Sequence, residues 1–493
     1  MAQVFGSSIT ISESPKLPDL PFAGSPLQQI MPTQKGGMTV PAATLNLKED
    51  YNMKNALKKR ASLKRPPTKK PAGPNNVKGF IDILKNPISI MLVFVPAGIA
   101  AGYALPEDFE NKAMIVFWVN FVAMVPLANL LGDATEELAA NLKNDTLSGL
   151  LNATFGNAVE IIMSVAFIFN YQYDVLKASM VGSILSNMLL VLGMAFFFGG
   201  LTKQKQKVDE LDPKTQRMIP KEVETVKDRE QNFNVVGALV NNTLLLIACF
   251  MLSLVTVFVL YMRMGDNESS NFRTSEISMS RFSSILIILA YIAYLIFQLF
   301  THSESLADDG GEEEEEEEEP SLDMKCSIIM LVCVTLVVAV SSELLSGSLE
   351  DALKDSGLGE EFMGVILIPI IGNACEHASA VRFAIADRAG LAVGIAVGSS
   401  VQIALFAIPF TVLAGWIIHP ADNDCNMDLN FGMLHVVVLF SSVIIVLSLI
   451  MDGKSNWLGG YLLMTAYLIA AGLYFFVRED PEDKEVCPLA RRL

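Results

Sequence analysis

The chain has 493 residues, 52% of them hydrophobic and 18% charged, with a positive mean hydropathy of +0.42. Soluble domains carry about a quarter of their residues as charges, so this composition excludes an ordinary soluble globular protein. The formal charge of −17 is unevenly spread: residues 1–80 hold 12 Lys/Arg against 4 Asp/Glu, whereas 303–324 hold 12 acidic side chains and no basic one.

Residues 1–80 are rich in Pro, Ser, Gly and Lys and lack helical apolar periodicity. They are expected to form a disordered basic cytosolic tail. No hydrophobic core follows a basic start, so no secretory signal is expected. Eleven apolar segments then reach or approach the roughly 20 residues that a membrane helix needs. They are 87–105, 113–131, 151–169, 175–200, 233–261, 282–301, 325–345, 362–384, 391–418, 430–451 and 457–477. Nine basic residues between Lys54 and Lys78 hold the N-terminus in the cytosol by the positive-inside rule. Counting spans from there puts the 201–232 loop, with eight Lys/Arg, on the cytosolic side. The 419–429 loop, which has none, falls on the far side, and so does the 478–493 tail, luminal or external.

Glu312 to Glu319 form an unbroken run within the 302–324 linker. Such a run is ordinarily a solvated, self-repelling tract, and the alternative is a cation collector or a regulatory contact. Cys249, Cys326, Cys333 and Cys375 sit in apolar runs and no pair has CxxC spacing, so no zinc site is indicated. Cys425 and Cys487 lie outside the spans on the far side, where an oxidising compartment permits a disulfide.

Gly156-Asn157-Ala158-Val159-Glu160 recurs 216 residues later as Gly372-Asn373-Ala374-Cys375-Glu376, and Gly182-Ser183 recurs as Gly398-Ser399. The motif spans are third and eighth, and an odd number of crossings between them inverts direction. The expected fold is therefore an all-α membrane protein of eleven transmembrane helices. Two inverted five-helix repeats, 113–301 and 325–477, follow one extra N-terminal helix at 87–105. Inverted repeats around midplane acids outline a secondary transporter.

Gly and Asn are poor residues for a helix interior, so Gly156-Asn157 and Gly372-Asn373 read as helix breaks whose freed carbonyls line a cavity or find a ligand. Glu160 and Glu376 follow three residues after each Asn, on the same helical face. Two carboxylates, two amide oxygens and freed carbonyls suit a hard divalent cation such as Ca2+, and Mn2+ accepts the same ligands. Either two protons or one divalent cation neutralises the pair, which is the electrostatic basis of antiport. The competing reading is close helix packing through small residues. Three further groups stand beside these. His377 serves either as a proton relay or as a structural hydrogen-bonding group. Glu136, Glu137 and Glu343 are expected at the cytosolic ends of spans two and seven, as entrance ligands or interfacial carboxylates. Ser183, Ser186, Ser399 and Gln402 are polar groups on packed helices. A Ca2+-permeable channel with a glutamate filter is the runner-up. A membrane enzyme finds no support in any nucleophile–base pair, phosphate loop or HExxH.

The stretches GLLNATFGNAVEIIMSVAF, GSILSNMLLVLGMAFFFGG, GNACEHASAVRFA, GSSVQIALFAIP and LLGDATEELAANL, with the acidic tract, resemble the Ca2+/H+ (cation/proton) exchanger family, CAX, of the Ca2+/cation antiporter superfamily. The likeness covers roughly residues 85–480. It implies eleven spans, a cytosolic N-terminus and proton-driven export of cytosolic Ca2+ into a vacuole, with the plasma membrane as alternative. By it, Glu160 and Glu376 are the central ligands, Asn157 and Asn373 stand beside them, and the three serines and Gln402 line the partner helices. Cys375 and Ser379 stand where the family often has Ala and Gly. No cofactor and no nucleic-acid partner is implied; the expected partners are Ca2+, protons and membrane lipid.

Overall fold

Where an apolar run is free of Gly-Asn pairs it forms one long helix; where it contains one, it breaks. A computed structural model describes residues 75–106, 108–142, 145–202, 204–211, 218–225, 230–264, 272–302, 320–420 and 426–477. The first helix, α1 (Asn76–Leu84), begins where Asn75 Oδ1 accepts the Lys78 amide at 3.2 Å. Residues 76–80, expected as the end of a disordered tail, are therefore helical. Residues 1–74, the Glu312–Glu319 run, Cys425, Cys487 and the 478–493 tail lie outside the described residues.

A 3-10 turn (Pro87–Val93) leads into α2 (Phe94–Ala104), followed by α3 (Lys112–Leu142), α4 (Asp145–Phe155) and α5 (Ala158–Phe169). The fourth span is α6 (Tyr173–Leu185), a π-turn, and α7 (Leu192–Leu201). A hairpin of β1 (Gln204–Leu211) and β2 (Met218–Thr225) comes next, then β3 (Gln231–Asn232), α8 (Val235–Met264) and α9 (Phe272–Ile296). The second half runs through α10 (Met324–Ser356), α11 (Glu360–Phe362), α12 (Ile368–Gly372), α13 (Ala374–Ile385), α14 (Ala389–Gln402), α15 (Ile408–Ile418) and α16 (Gly432–Ile450). Strand β4 (Lys454–Ser455) and α17 (Trp457–Phe476) complete it. The strands lie outside the membrane spans, which are all helical as expected, and β3 pairs antiparallel with β4.

Among the described residues, nine helices are long and apolar enough to cross a membrane, and the α11–α13 stretch, bent by 57° at Asn373, makes ten. The third expected span is split: α4 and the apolar 12-residue α5 flank Gly156-Asn157. Counting it gives a number consistent with eleven. Large apolar side chains such as Ile90, Leu289, Ile329, Leu468 and Phe476 are exposed, as lipid-facing surfaces require.

The duplication persists in the backbone. Helices α5 and α13 have the same length, 12 residues. Each is followed by a non-glycine residue at positive φ, Tyr171 (55°) and Asp387 (64°), which stand 216 positions apart. The two copies also run oppositely. The C-terminal end of α5 abuts the turn before α6, whereas that of α13 meets Gln231, beyond the far end of the α6–α7 span.

Proline explains two of the π-turns. Pro369 and Pro409 follow Met363–Leu367 and Ile403–Ala407, and a proline ring cannot tolerate the carbonyl four residues back in an α-helix. The α6–α7 span is the most enclosed of the nine, with 78% of its apolar window buried, and α14–α15, level with α3, reaches 61% against 17% for Pro87–Ala104. Their Ala, Ser and Gly residues let helix backbones approach closely.

Candidate functional site

The two breaks face the opposite repeat's small-residue helix. Asn157 leaves helical geometry (φ −108°, ψ 28°), and so does Asn373 (φ −88°, ψ 17°). Asn157 donates from Nδ2 to Gln402 Oε1 at 2.7 Å and accepts at Oδ1 from Ser399 Oγ at 2.8 Å. Both partners lie on α14. Asn373 donates from Nδ2 to the Ser183 carbonyl on α6 at 3.1 Å. Ser183 and Ser399 are repeat-equivalent, so each Asn crosses to the same place on the other copy. Ser183, Ser186 and Ser399 are buried, and Gln402 is half-buried.

Glu160 is 1% exposed, one turn into α5. A Cβ built on Gly372 would stand 3.2 Å from Glu160 Oε1, so the glycine leaves room for the carboxylate of the other repeat. Gly156 is placed differently, with Gln402 Oε1 at 3.7 Å from its corresponding position. Glu376 is half-buried and lies within electrostatic range of Glu160. The structure thus brings Glu160, Glu376, Asn157, Asn373, Gly372, Ser183, Ser399 and Gln402 to one locus.

Among the described residues, the buried oxygens Glu160 Oε1, Glu376 Oε2, Asn373 Oδ1 and Asn187 Oδ1 find no hydrogen-bond partner at or beside this locus. An unpartnered buried acceptor costs about 1–3 kcal/mol. A proton on a carboxylate or a hard cation among the oxygens relieves that cost. Among the described residues no three His, Cys, Asp or Glu side chains cluster as a metal cage. A cation here therefore relies on the two carboxylates and neutral oxygens. Asn187 is the residue that sequence reasoning missed. It is fully buried and donates from Nδ2 to Ser399 Oγ at 3.2 Å. Its signal was an amide inside the apolar run Ser186–Val191, without a polar counterpart at Ile403.

His377 Nδ1 lies 2.6 Å from the Asn373 carbonyl. A carbonyl only accepts, so Nδ1 carries the proton and closes the break locally. His377 Nε2 is buried without a hydrogen-bond partner among the described residues. Cys375 Sγ sits against Gly132 of α3, within electrostatic range of Glu376, Glu136 and Asp133.

The entrance group divides. Glu136 is exposed on α3. Glu137 Oε2 accepts the Ser321 and Leu322 amides at 3.0 and 3.1 Å, anchoring the approach to α10. Glu343 does not share their end of the molecule, which corrects the expectation. The Glu137 end of α3 meets residues 321–327 at the start of α10, where Asn141 Nδ2 bonds the Leu322 carbonyl and Ser327 Oγ. Glu343 lies 16 residues past Ser327, about 24 Å along a helix rising 1.5 Å per residue. It sits beside Ser346, whose hydroxyl and carbonyl bond Asn170 and Gln172. Antiparallel packing of α3 and α10 puts Glu343 beside the middle of α3, near Met124, and away from the Glu136–Glu137 end.

On the Glu343 side, Asp428 is 2% exposed and lies 2.7 Å from Arg273 Nη1 and 3.4 Å from Lys177 Nζ. Burial opposes its ionisation, but the Lys177 and Arg273 charges outweigh that and hold its carboxyl below the usual range.

A family profile described as sodium/calcium exchanger protein matches residues 112–300 and 326–476. The chain is 37% identical over 426 residues to vacuolar cation/proton exchanger 5 of Arabidopsis thaliana, covering 84% of this chain and 87% of that protein. It is 35% identical over 397 residues to the vacuolar calcium ion transporter of Schizosaccharomyces pombe, covering 80% and 86%. Among solved structures, a Ca2+/H+ antiporter protein, YfkE, is similar with a TM-score of 0.59 at 31% identity, covering 79% of this chain and 100% of that one.

Proposed function

The chain belongs to the sodium/calcium exchanger protein family and, within it, to the cation/proton exchangers, and from that premise we propose that it moves cytosolic Ca2+ into a vacuole in exchange for protons. The observation that carries this reading is the pair of glutamates, each on a helix broken at Gly-Asn and each with a buried oxygen that has no partner among the described residues. A dianion in that enclosure is strongly disfavoured. Two protons or one divalent cation neutralise it, and either neutral form lets the two repeats rearrange around the site. Asn157 and Asn373 add amide oxygens, Gly372 leaves space beside Glu160, and the Ser399 and Ser183 contacts tie each break to the opposite repeat. Inverted copies supply one gate to each face. The orientation is that of the basic N-terminal segment, with the 141, 231 and 387 ends in the cytosol and the 171, 346 and 428 ends in the lumen. Mn2+ meets the same oxygen chemistry and is a second candidate cargo.

The test is Glu160→Gln and Glu376→Gln, separately, in proteoliposomes given a pH jump. Gln keeps the volume and removes the exchangeable charge, so each variant abolishes Ca2+/H+ exchange while the thermal unfolding midpoint is retained. Normal exchange by either variant refutes the central site. A Ca2+ flux that persists in the wild type after the pH gradient is collapsed favours the channel reading instead. Competition by Mn2+ under the same conditions settles the second cargo.

A further inference from the structure

The C-terminal ends of the two motif helices are held by side chains that the repeat does not predict. At the end of α5, His419 Nε2 lies 3.1 Å from the Ile168 carbonyl and Nδ1 lies 3.1 Å from the Tyr171 hydroxyl. At the end of α13, Gln231 Nε2 donates to the Ala384 carbonyl and to Asp387 Oδ1, both at 2.8 Å. Ile168 and Ala384 are 216 residues apart, and so are Tyr171 and Asp387. Tyr171 and Asp387 are also the two positive-φ residues that turn the chain into the next span. Equivalent carbonyls and equivalent turn residues are thus gripped by one foreign side chain in each copy. His419 reaches the first from the end of α15, and Gln231 reaches the second from the segment after the β1–β2 hairpin.

We infer that His419 and Gln231 are matched positioning residues, one at each membrane face, which fix the helices bearing Glu160 and Glu376, and that of the two anchoring side chains only His419 responds to pH. Since the Ile168 carbonyl only accepts, neutral His419 carries its proton on Nε2 and accepts the Tyr171 hydroxyl at Nδ1. A second proton turns Nδ1 into a donor, which the hydroxyl oxygen can accept. The Nε2 bond becomes charge-assisted and stronger. The Tyr171 ring, stacked on the imidazole at 4.3 Å, faces the new cation within cation–π range. Acid therefore tightens this anchor. Glutamine has no such response.

Among the described residues no ion pair joins His419 to the charges at this end, where Glu343 is exposed on α10. On α6, α9 and the 426–431 segment, Lys177, Asp174, Arg273, Glu276 and Asp428 pair among themselves. On α9, Arg281 lies over the Trp416 ring of α15. Tyr173 stands edge-on to Tyr171, and Asn426 Nδ2 donates to the His419 carbonyl. In the proposed orientation this is the luminal face, so a proton-filled compartment is sensed at the helix that carries Glu160.

The first arm of the test is hydrogen exchange at the amides of residues 168–172, corrected for intrinsic rates and compared between about pH 7.5 and 5.5. Wild type gains about threefold or more in protection on acidification, the increment expected of a hydrogen bond made charge-assisted. His419→Gln shows no such gain. The second arm rests on the exchange reading: initial rates in proteoliposomes with both compartments shifted together, so that the pH difference is constant. His419→Gln retains exchange with a flatter pH profile, His419→Ala loses about fivefold or more, and Gln231→His introduces a new pH response at residues 384–388. Wild-type pH dependence of protection in His419→Gln overturns the inference, as does an undiminished rate in His419→Ala. Failure of the Glu160 and Glu376 assignment leaves the hydrogen-exchange arm intact, so the two can be told apart.

Discussion

Replacing Gly182 and, separately, Gly398 by alanine puts the same methyl group at positions 216 residues apart, and the structure assigns them opposite outcomes. At Gly182 the new Cβ would overlap the Val365 carbonyl oxygen, with Pro369 Cγ at 2.6 Å and the Val365 carbonyl carbon at 2.7 Å. Ordinary contact begins near 3.4 Å, so α6 must move away from the eighth span by about 1 Å, and a backbone carbonyl has no rotamer by which to yield. Overpacking of this kind costs about 3 kcal/mol, the upper part of its usual range. The shift also strains the Asn373–Ser183 hydrogen bond, worth about 1 kcal/mol. At Gly398 nothing lies within 4 Å of the new methyl, so Ala is expected to be neutral or to stabilise by up to about 1 kcal/mol through helix propensity. Thermal unfolding of the purified protein checks the first difference, at roughly 2 °C per kcal/mol, and exchange in proteoliposomes checks the second. Gly182→Ala falls by several degrees and loses exchange, whereas Gly398→Ala keeps both. Equal behaviour of the two variants would show that the close approach of α6 to Val365–Pro369 is not as described.

Three further outcomes follow from the same geometry. Gly132→Ala drives a methyl to 2.6 Å from Cys375 Sγ and is expected to slow exchange by about tenfold through displacement of the Glu376 turn, with Cys375→Ala restoring the rate in the double variant. Asp428→Asn removes the buried partner of Lys177 and Arg273 and costs about 3 kcal/mol, read as a lower unfolding midpoint. Because the Asp428 carboxyl is held below its ordinary range, its contribution is complete above about pH 4 and is lost only as pH falls through the lowered value. A mildly acidic lumen therefore leaves the pair intact, and a midpoint difference between wild type and Asp428→Asn that vanishes at pH 6 would refute this. His377→Asn gives up the 2.6 Å bond to the Asn373 carbonyl, costs about 1 kcal/mol, and retains a measurable exchange rate. Complete loss of metal binding in that variant would make His377 a ligand.

Much of the molecule was written in the chain. Apolar runs long enough for a bilayer, and a duplicated Gly-Asn-x-x-Glu, require helices, breaks and two buried carboxylates whatever the packing, because an unpaired backbone and an ionised side chain are costly in hydrocarbon. Other features were decided only in three dimensions. The sequence placed Glu343 with Glu136 and Glu137; antiparallel packing of α3 against α10 separates them by about 24 Å. It treated Gly182 and Gly398 as one motif; only Gly182 faces the carbonyl that Pro369 frees. It passed over Asn187, His419 and Gln231, since none has a like residue at the position 216 residues away and each acquires its partner from a segment more than 150 residues distant. Local composition determines where a helix starts, breaks and stays dry. Which side chain reaches an exposed carbonyl at its end depends on how the two inverted halves are packed, and no spacing along the chain encodes that distance.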